Sequence, residues 1–156
     1  MKRPKLLAVD LDGTLLDSSG APHEADVRAI HAALAAGVHV SIVTGRLYSG
    51  TRASAEILRL AGPVGCVDGS HVVSAKTHTT LMHHAIRNAN AKKLQEIMTN
   101  VGAATFVFAR DAIVHDDSGD PYLGYVTTWS SDVRRTKSTF EHPMWQDEDG
   151  VTAVVC

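Results

Sequence analysis

Three short apolar stretches each stop at a polar or glycine position: Leu6-Leu7-Ala8-Val9 before Asp10, Val38 to Val43 before Thr44-Gly45, and Val64 to Val67 before Asp68-Gly69. Stretches of this length predict strands of a parallel sheet covered on both faces, because such strands lose the clean alternation of half-exposed ones. Between the first two, Val27, Ile30 and Leu34 recur at helical spacing, Pro22 suits a first helical turn and Gly37 a C-terminal cap. Strand, helix and strand make a βαβ unit, which crosses over right-handed. A second helix is predicted over 48–61, with Ala53, Ile57 and Leu60 on one face and Gly62-Pro63 as the stop.

The pattern changes after residue 70. His71-Val72-Val73 reads as a short strand and Lys76-Thr77-His78 as a polar turn. Residues 88–101 predict a helix, with Leu94, Ile97, Met98 and Val101 on one stripe and Gly102 at its end. Ala104 to Ala109 and Ala112 to His115 read as two strands joined at Arg110-Asp111. Asp116 to Pro121 and Asp147 to Gly150 are rich in turn formers and precede a last β-branched run, Val151 to Cys156. Neither acidic turn has the ligand spacing of a calcium loop, so both read as solvated. Trp129, Phe140 and Trp145 read as packing anchors.

The candidate chemistry sits where the first strand ends. Side chains two apart on an extended strand face the same way, so Asp10 and Asp12 are placed to face one substrate. Two neighbouring carboxylates raise each other's pKa unless a cation neutralises them, and Mg²⁺, a hard oxygen-ligated ion, suits the pair. Gly13 permits a sharp exit turn, and Thr14 adds a hydroxyl beside any bound anion. At the end of the second strand, Thr44-Gly45-Arg46 offers a hydroxyl, a backbone amide and a guanidinium where the next helix begins, a position that attracts anions.

Asp10-Leu11-Asp12-Gly13-Thr14-Leu15 resembles the first signature of the haloacid dehalogenase (HAD) superfamily, and the strand ending at Thr44 resembles the second. The resemblance implies an α/β fold, with a Rossmann-like parallel core and an inserted α/β cap. It also implies a nucleophilic Asp10 that forms an aspartyl-phosphate, and an Asp12 that protonates the leaving oxygen and then activates water. Thr44, Gly45, Arg46 and Gly13 would bind the phosphate, with Asp10 and Asp12 holding Mg²⁺. The Cof-type branch, subfamily IIB, carries Asn-Gly at a position like Asp68-Gly69. Here Asp replaces that Asn, which keeps a turn former but loses an amide donor, so Asp68 is a candidate substrate contact. By the same likeness residues 1–70 are the N-terminal part of the core and 71–156 the cap.

Two further family signatures find no counterpart. Gly119-Asp120 follows a polar loop and precedes Pro121, the mark of a turn, and Lys137 lies in the polar run Arg134 to Lys137, which reads as solvated surface. With 156 residues and a last predicted strand still running at Cys156, the expectation is that the C-terminal half of the core is absent.

Composition narrows the rest. A hydrophobic fraction of 44% fills a core, and a net charge of −2 argues against nucleic-acid or membrane partners recruited by bulk electrostatics. The basic start, Met1 to Lys5, has no signal-peptide core behind it, because Asp10 interrupts the apolar run. Two cysteines, Cys66 and Cys156, fit free thiols in a reducing cytoplasm. The nine histidines include the neighbours His83-His84, but none shows zinc-ligand spacing, and His23, His31 and His39 read as surface residues. These readings converge on a Mg²⁺-dependent phosphatase of a small phosphorylated metabolite, with a sugar phosphate as the expected substrate class. A non-catalytic phosphate-binding module derived from such an enzyme and a phosphomutase of the same fold are the alternatives. Substrate identity and oligomeric state are not legible.

Overall fold

A computed structural model describes residues 4–156; the basic start Met1-Lys2-Arg3 lies outside them. The first unit begins with β1 (Leu6–Val9), α1 (Glu24–Ala35) and β2 (His39–Ile42), and β1 and β2 pair in parallel as the βαβ pattern requires. Pro22 lies ahead of α1; the N-cap is His23, whose side chain accepts from the Ala25 amide. α2 (Tyr48–Ile57) leads to β3 (Pro63–Cys66), which joins β2 in parallel through a bridge between Val43 and Gly65.

α2 is shorter than the predicted 48–61 and turns a different face inward. Tyr48, Thr51, Ser54 and Ala55 are its buried residues, while Ala53 and Ile57 are exposed. Two small hydroxyl residues can line this face because Thr51 returns its hydroxyl to the Leu47 carbonyl, leaving no orphaned donor. The helix stops at Leu58, and Arg59 turns left-handed with φ of 56°.

β4 (His71–Ser74) and β5 (Thr80–His83) run antiparallel from β3, in the order β3-β4-β5. This hairpin is thus hydrogen-bonded to β3, and it begins at residue 71, where the sequence pattern changes. α3 (Asn88–Val101) then opens a second unit comprising β6 (Phe106–Ala109), β7 (Ala112–His115), the short α4 (Leu123–Val126), β8 (Val133–Arg135) and β9 (Ala153–Val155). Its sheet runs β8-β7-β6-β9, so the chain's last strand pairs antiparallel with β6. β8 overlaps the start of the polar run Arg134 to Lys137, which the sequence pattern gives as solvated surface with no strand context. It pairs in parallel with β7 at an edge, where Arg134 and Arg135 meet solvent and bind Asp132 and Asp120.

One apolar core crosses both units: Leu11, Ile42, Leu47, Leu58 and Val64 from the first pack with Phe106, Phe108, Ile113 and Val126 from the second. A smaller cluster of Ala91, Val107, Val114, Met144, Trp145 and Val151 fixes α3 to the other face of the second sheet. Of the predicted α3 stripe, Met98 is buried, while Ile97 and Val101 are exposed. On β1, Leu6 and Leu7 are 61% and 41% exposed, and β1 pairs only with β2 among the described residues.

Candidate functional site

The site is built where β1, β2 and β3 end. β1 stops at Val9, so simple alternation does not carry through to Asp12. A tight turn does the placing instead: the amides of Thr14, Leu15 and Leu16 all converge on the Leu11 carbonyl, and Gly13 takes φ of 71°. Leu11 is fully buried and anchors the turn, which leaves Asp10 and Asp12 on either side of it exposed.

Asp12 is paired. Arg46 donates Nε to Oδ2 at 2.7 Å and Nη2 to Oδ1 at 2.5 Å, the two-pronged geometry suited to a carboxylate. Its guanidinium is largely buried, with only 11% of the side chain exposed against 54% for Asp12. The hydrogen bonds and charge of Arg46 hold the Asp12 carboxyl below the usual range, against an opposing desolvation. The neutralising cation that the sequence reading called for is, at Asp12, the guanidinium of Arg46.

Thr44 is 4% exposed and its hydroxyl accepts from the Arg46 amide at 3.3 Å. Asp68 follows β3 in a left-handed turn, with φ of 52° after 49° at Val67 and before 90° at Gly69. Its amide donates to the Thr44 carbonyl at 3.2 Å, which joins the second and third strand ends. An Asp tolerates this backbone, so the substitution for Asn keeps the turn.

A pocket of about 320 Å³ opens here, with Asp12, Gly45, Arg46, Val67 and Asp68 on one side and Phe108, Trp129 and Ala153 to Val155 on the other. The structure therefore brings Asp12, Gly45, Arg46 and Asp68 together; Asp10, Gly13 and Thr44 lie beside the pocket and do not line it. The second-unit wall was not legible as a site. Trp129 had the signature of a packing anchor, which it also is, its ring tilted against Phe108 at 6.1 Å and edge-on to Tyr125 at 4.7 Å. Of the other two predicted anchors, Trp145 is buried and donates to the Thr139 carbonyl, and Phe140 is half-buried.

Other candidates resolve as structure. Gly119 packs under the Phe106 ring within a short 3₁₀ helix, Asp120 accepts from Arg135, and Lys137 is exposed. Among the described residues, no group of three or more His, Cys, Asp or Glu side chains is placed to hold a metal. Cys66 is buried, with its thiol pushed up to about 12 by desolvation, and Cys156 is exposed and free. No helix among the described residues is long and apolar enough to cross a membrane.

Residues 7–149 match the haloacid dehalogenase-like hydrolase family. The chain belongs to that family. The pyridoxal phosphate phosphatase YbhA of Escherichia coli K12 is 27% identical over 112 residues, covering 72% of this chain and 41% of YbhA. Among solved structures, a haloacid dehalogenase-like hydrolase from Bacteroides thetaiotaomicron superposes with a TM-score of 0.74 at 21% identity, covering 87% of this chain and 53% of that one. The HAD subclass IIB sugar phosphatase BT4131 superposes with a TM-score of 0.71 at 16% identity, covering 94% and 56%. These likenesses confirm the α/β fold with a Rossmann-like HAD core. The chain thus spans less than half of YbhA and a little over half of these two solved structures.

Proposed function

We propose that this family member is a phosphatase of a small phosphorylated metabolite, with a sugar phosphate as the substrate class and Asp10 as the nucleophile. The observation that carries the reading is the junction of three strand ends. Asp10, exposed and without a partner among the described residues, leaves β1 two positions before an Asp12 that is held by Arg46 and lines a pocket of metabolite size, and the buried Thr44 follows the neighbouring strand.

In the first step an Asp10 carboxylate oxygen attacks phosphorus as the ester bond to the leaving oxygen breaks, and a proton on Asp12 passes to that oxygen. Water then attacks phosphorus, Asp12 takes its proton, and the Asp10–phosphorus bond breaks to release phosphate. The Arg46 pair keeps Asp12 ionised, which suits the second step. Holding a proton on Asp12 for the first requires the guanidinium to turn toward the anionic substrate.

The Asp10 carboxylate and the Asp12 carbonyl are hard oxygen donors of the kind Mg²⁺ takes, and phosphate and water oxygens would complete its shell. The ion would supply neutralisation of the phosphate charge. The free Cys66 and Cys156 thiols fit a reducing cytoplasm. The second reading, a binding module without turnover, is favoured by one observation: among the described residues no group of three or more His, Cys, Asp or Glu side chains is placed to hold a metal. A phosphomutase would share Asp10 and Asp12 and differ in returning the phosphoryl group to the sugar.

The test is phosphate release from a panel of sugar phosphates and an aryl phosphate in Mg²⁺, beside Asp10→Asn. Turnover lost with that substitution supports the phosphatase, turnover that survives it rejects Asp10 as nucleophile, and phosphate binding without turnover selects the module.

A further inference from the structure

The turn that carries Arg46 into α2 is gripped by the second unit. The Leu47 amide donates to the Trp129 carbonyl at 3.0 Å. The Ser49 amide donates to Asp111 Oδ1 at 2.9 Å, and the Ser49 hydroxyl reaches the Asp111 carbonyl at 3.0 Å and the Ser130 hydroxyl at 2.8 Å. Ser131 donates its hydroxyl back to the Ser49 carbonyl at 3.2 Å. Gly50 makes this approach possible, because a Cβ there would lie 2.6 Å from the Trp129 carbonyl carbon and 3.0 Å from the Ser130 amide. The same turn faces the site: the Gly50 carbonyl accepts from Arg46 Nη1 at 3.4 Å, and Trp129 is part of the pocket wall.

We infer that Leu47, Ser49 and Gly50 with Asp111, Trp129 and Ser130 form a closure clasp that sets the second unit over the Asp12–Arg46 pocket. A helix leaves its first amides without intrahelical partners, so backbone donors at the start of α2 are free to be claimed from outside. Here the claimants are all in the second unit. Closure satisfies these donors and brings the Trp129 wall against the pocket; opening returns both to water. These are positioning residues, and their effect on turnover rests on the phosphatase reading above, whereas the clasp itself does not.

Because the amides of Leu47 and Ser49 have no helical partner, their hydrogen exchange reports the clasp alone. By NMR, both should exchange at least about tenfold more slowly than unstructured amides in the wild type. In Gly50→Ala both should approach the unstructured rate, while the Leu58 amide, bonded inside the helix to Ser54, stays protected. Ala is the better helix former, so loss of α2 would not account for that contrast. Asp111→Ala should free the Ser49 amide, and Asp111→Asn, which retains the acceptor oxygen, should restore it. In turnover, Gly50→Ala should raise KM for a sugar phosphate several-fold with kcat changed less, and leave acetyl phosphate, too small to reach the wall, unaffected. Unprotected Leu47 and Ser49 amides in the wild type, or protection unchanged by Gly50→Ala, would overturn the clasp. Failure of the phosphatase reading would instead remove turnover from every form and leave the exchange contrast intact.

Discussion

Arg46 holds both carboxylate oxygens of Asp12 across 34 residues of chain, so the turn after β1 and the turn after β2 are fastened at the point where substrate would arrive. The pair is asymmetric, its cation buried and its carboxylate half in water. That geometry suits tuning of Asp12 better than bulk stabilisation, because an exposed partner is screened by solvent.

Arg46→Ala should therefore cost stability only about 1 kcal/mol or less, yet return the Asp12 carboxyl to the ordinary range. The folded pKa of Asp12 lies below its unfolded value, so the contribution of the pair is complete above the ordinary carboxylate pKa and lost as pH falls through the lowered one. A ¹³C carboxyl titration of both proteins measures the change. An Asp12 titration unmoved by the substitution would reject the pairing in solution.

Leu11→Ala attacks the same turn from beneath. Leu11 is fully buried between two exposed aspartates, and its carbonyl receives three amides. Truncation should destabilise the fold by about 2–5 kcal/mol, measured by urea unfolding. A loss under about 1 kcal/mol would mean that the turn is held by its backbone alone.

His71 and His83 sit opposite each other on β4 and β5 with ring centroids 5.2 Å apart, and His83 Nε2 lies 2.8 Å from the Thr152 hydroxyl just before β9. Burial lowers both pKa values; Asp111 opposes this at His71, and Asp149 at His83, where Arg87, Arg110 and His84 add to the lowering. The unfolded chain then binds more protons below about pH 6.5, so stability should fall as pH drops from there toward the lowered folded values. Unfolding midpoints between pH 7.5 and 5 should show the slope, and His71→Gln with His83→Gln should flatten it. An equal slope in the double variant would assign it to other groups.

The thiols should differ sharply. Cys156, exposed, should react with a disulfide reagent at an ordinary rate, while Cys66, buried and pushed up to about 12, should react only on unfolding. Two fast thiols in the native protein would contradict the burial of β3.

The site's strand ends were legible because apolar runs stopping at Asp10, Thr44 and Asp68 are local patterns, and the parallel pairing of β1 with β2 follows from the helix between them. What escaped was set by distant contacts. β5 returns to β4, and β8 is an arginine-bearing edge strand, so neither carries a strong apolar signal. The inward face of α2 carries Thr51 and Ser54 because Leu47 satisfies the Thr51 hydroxyl and the second unit covers the start of the helix. Arg46 was a candidate phosphate contact, but its grip on Asp12 spans too much chain to read from spacing. Trp129 looked like a packing anchor because it packs, half-buried, against the core, and its place in the pocket wall depends on where the second unit docks.

On the function proposed above, Asp10 carries the phosphoryl group. Rapid quenching of the protein with an aryl phosphate and Mg²⁺, followed by mass spectrometry of the peptide bearing residues 6–16, should find one phosphoryl group on Asp10. Asp10→Asn should show none, with turnover lowered about a thousandfold or more. A phosphoryl group on any other residue, or turnover that survives Asp10→Asn, would contradict the account.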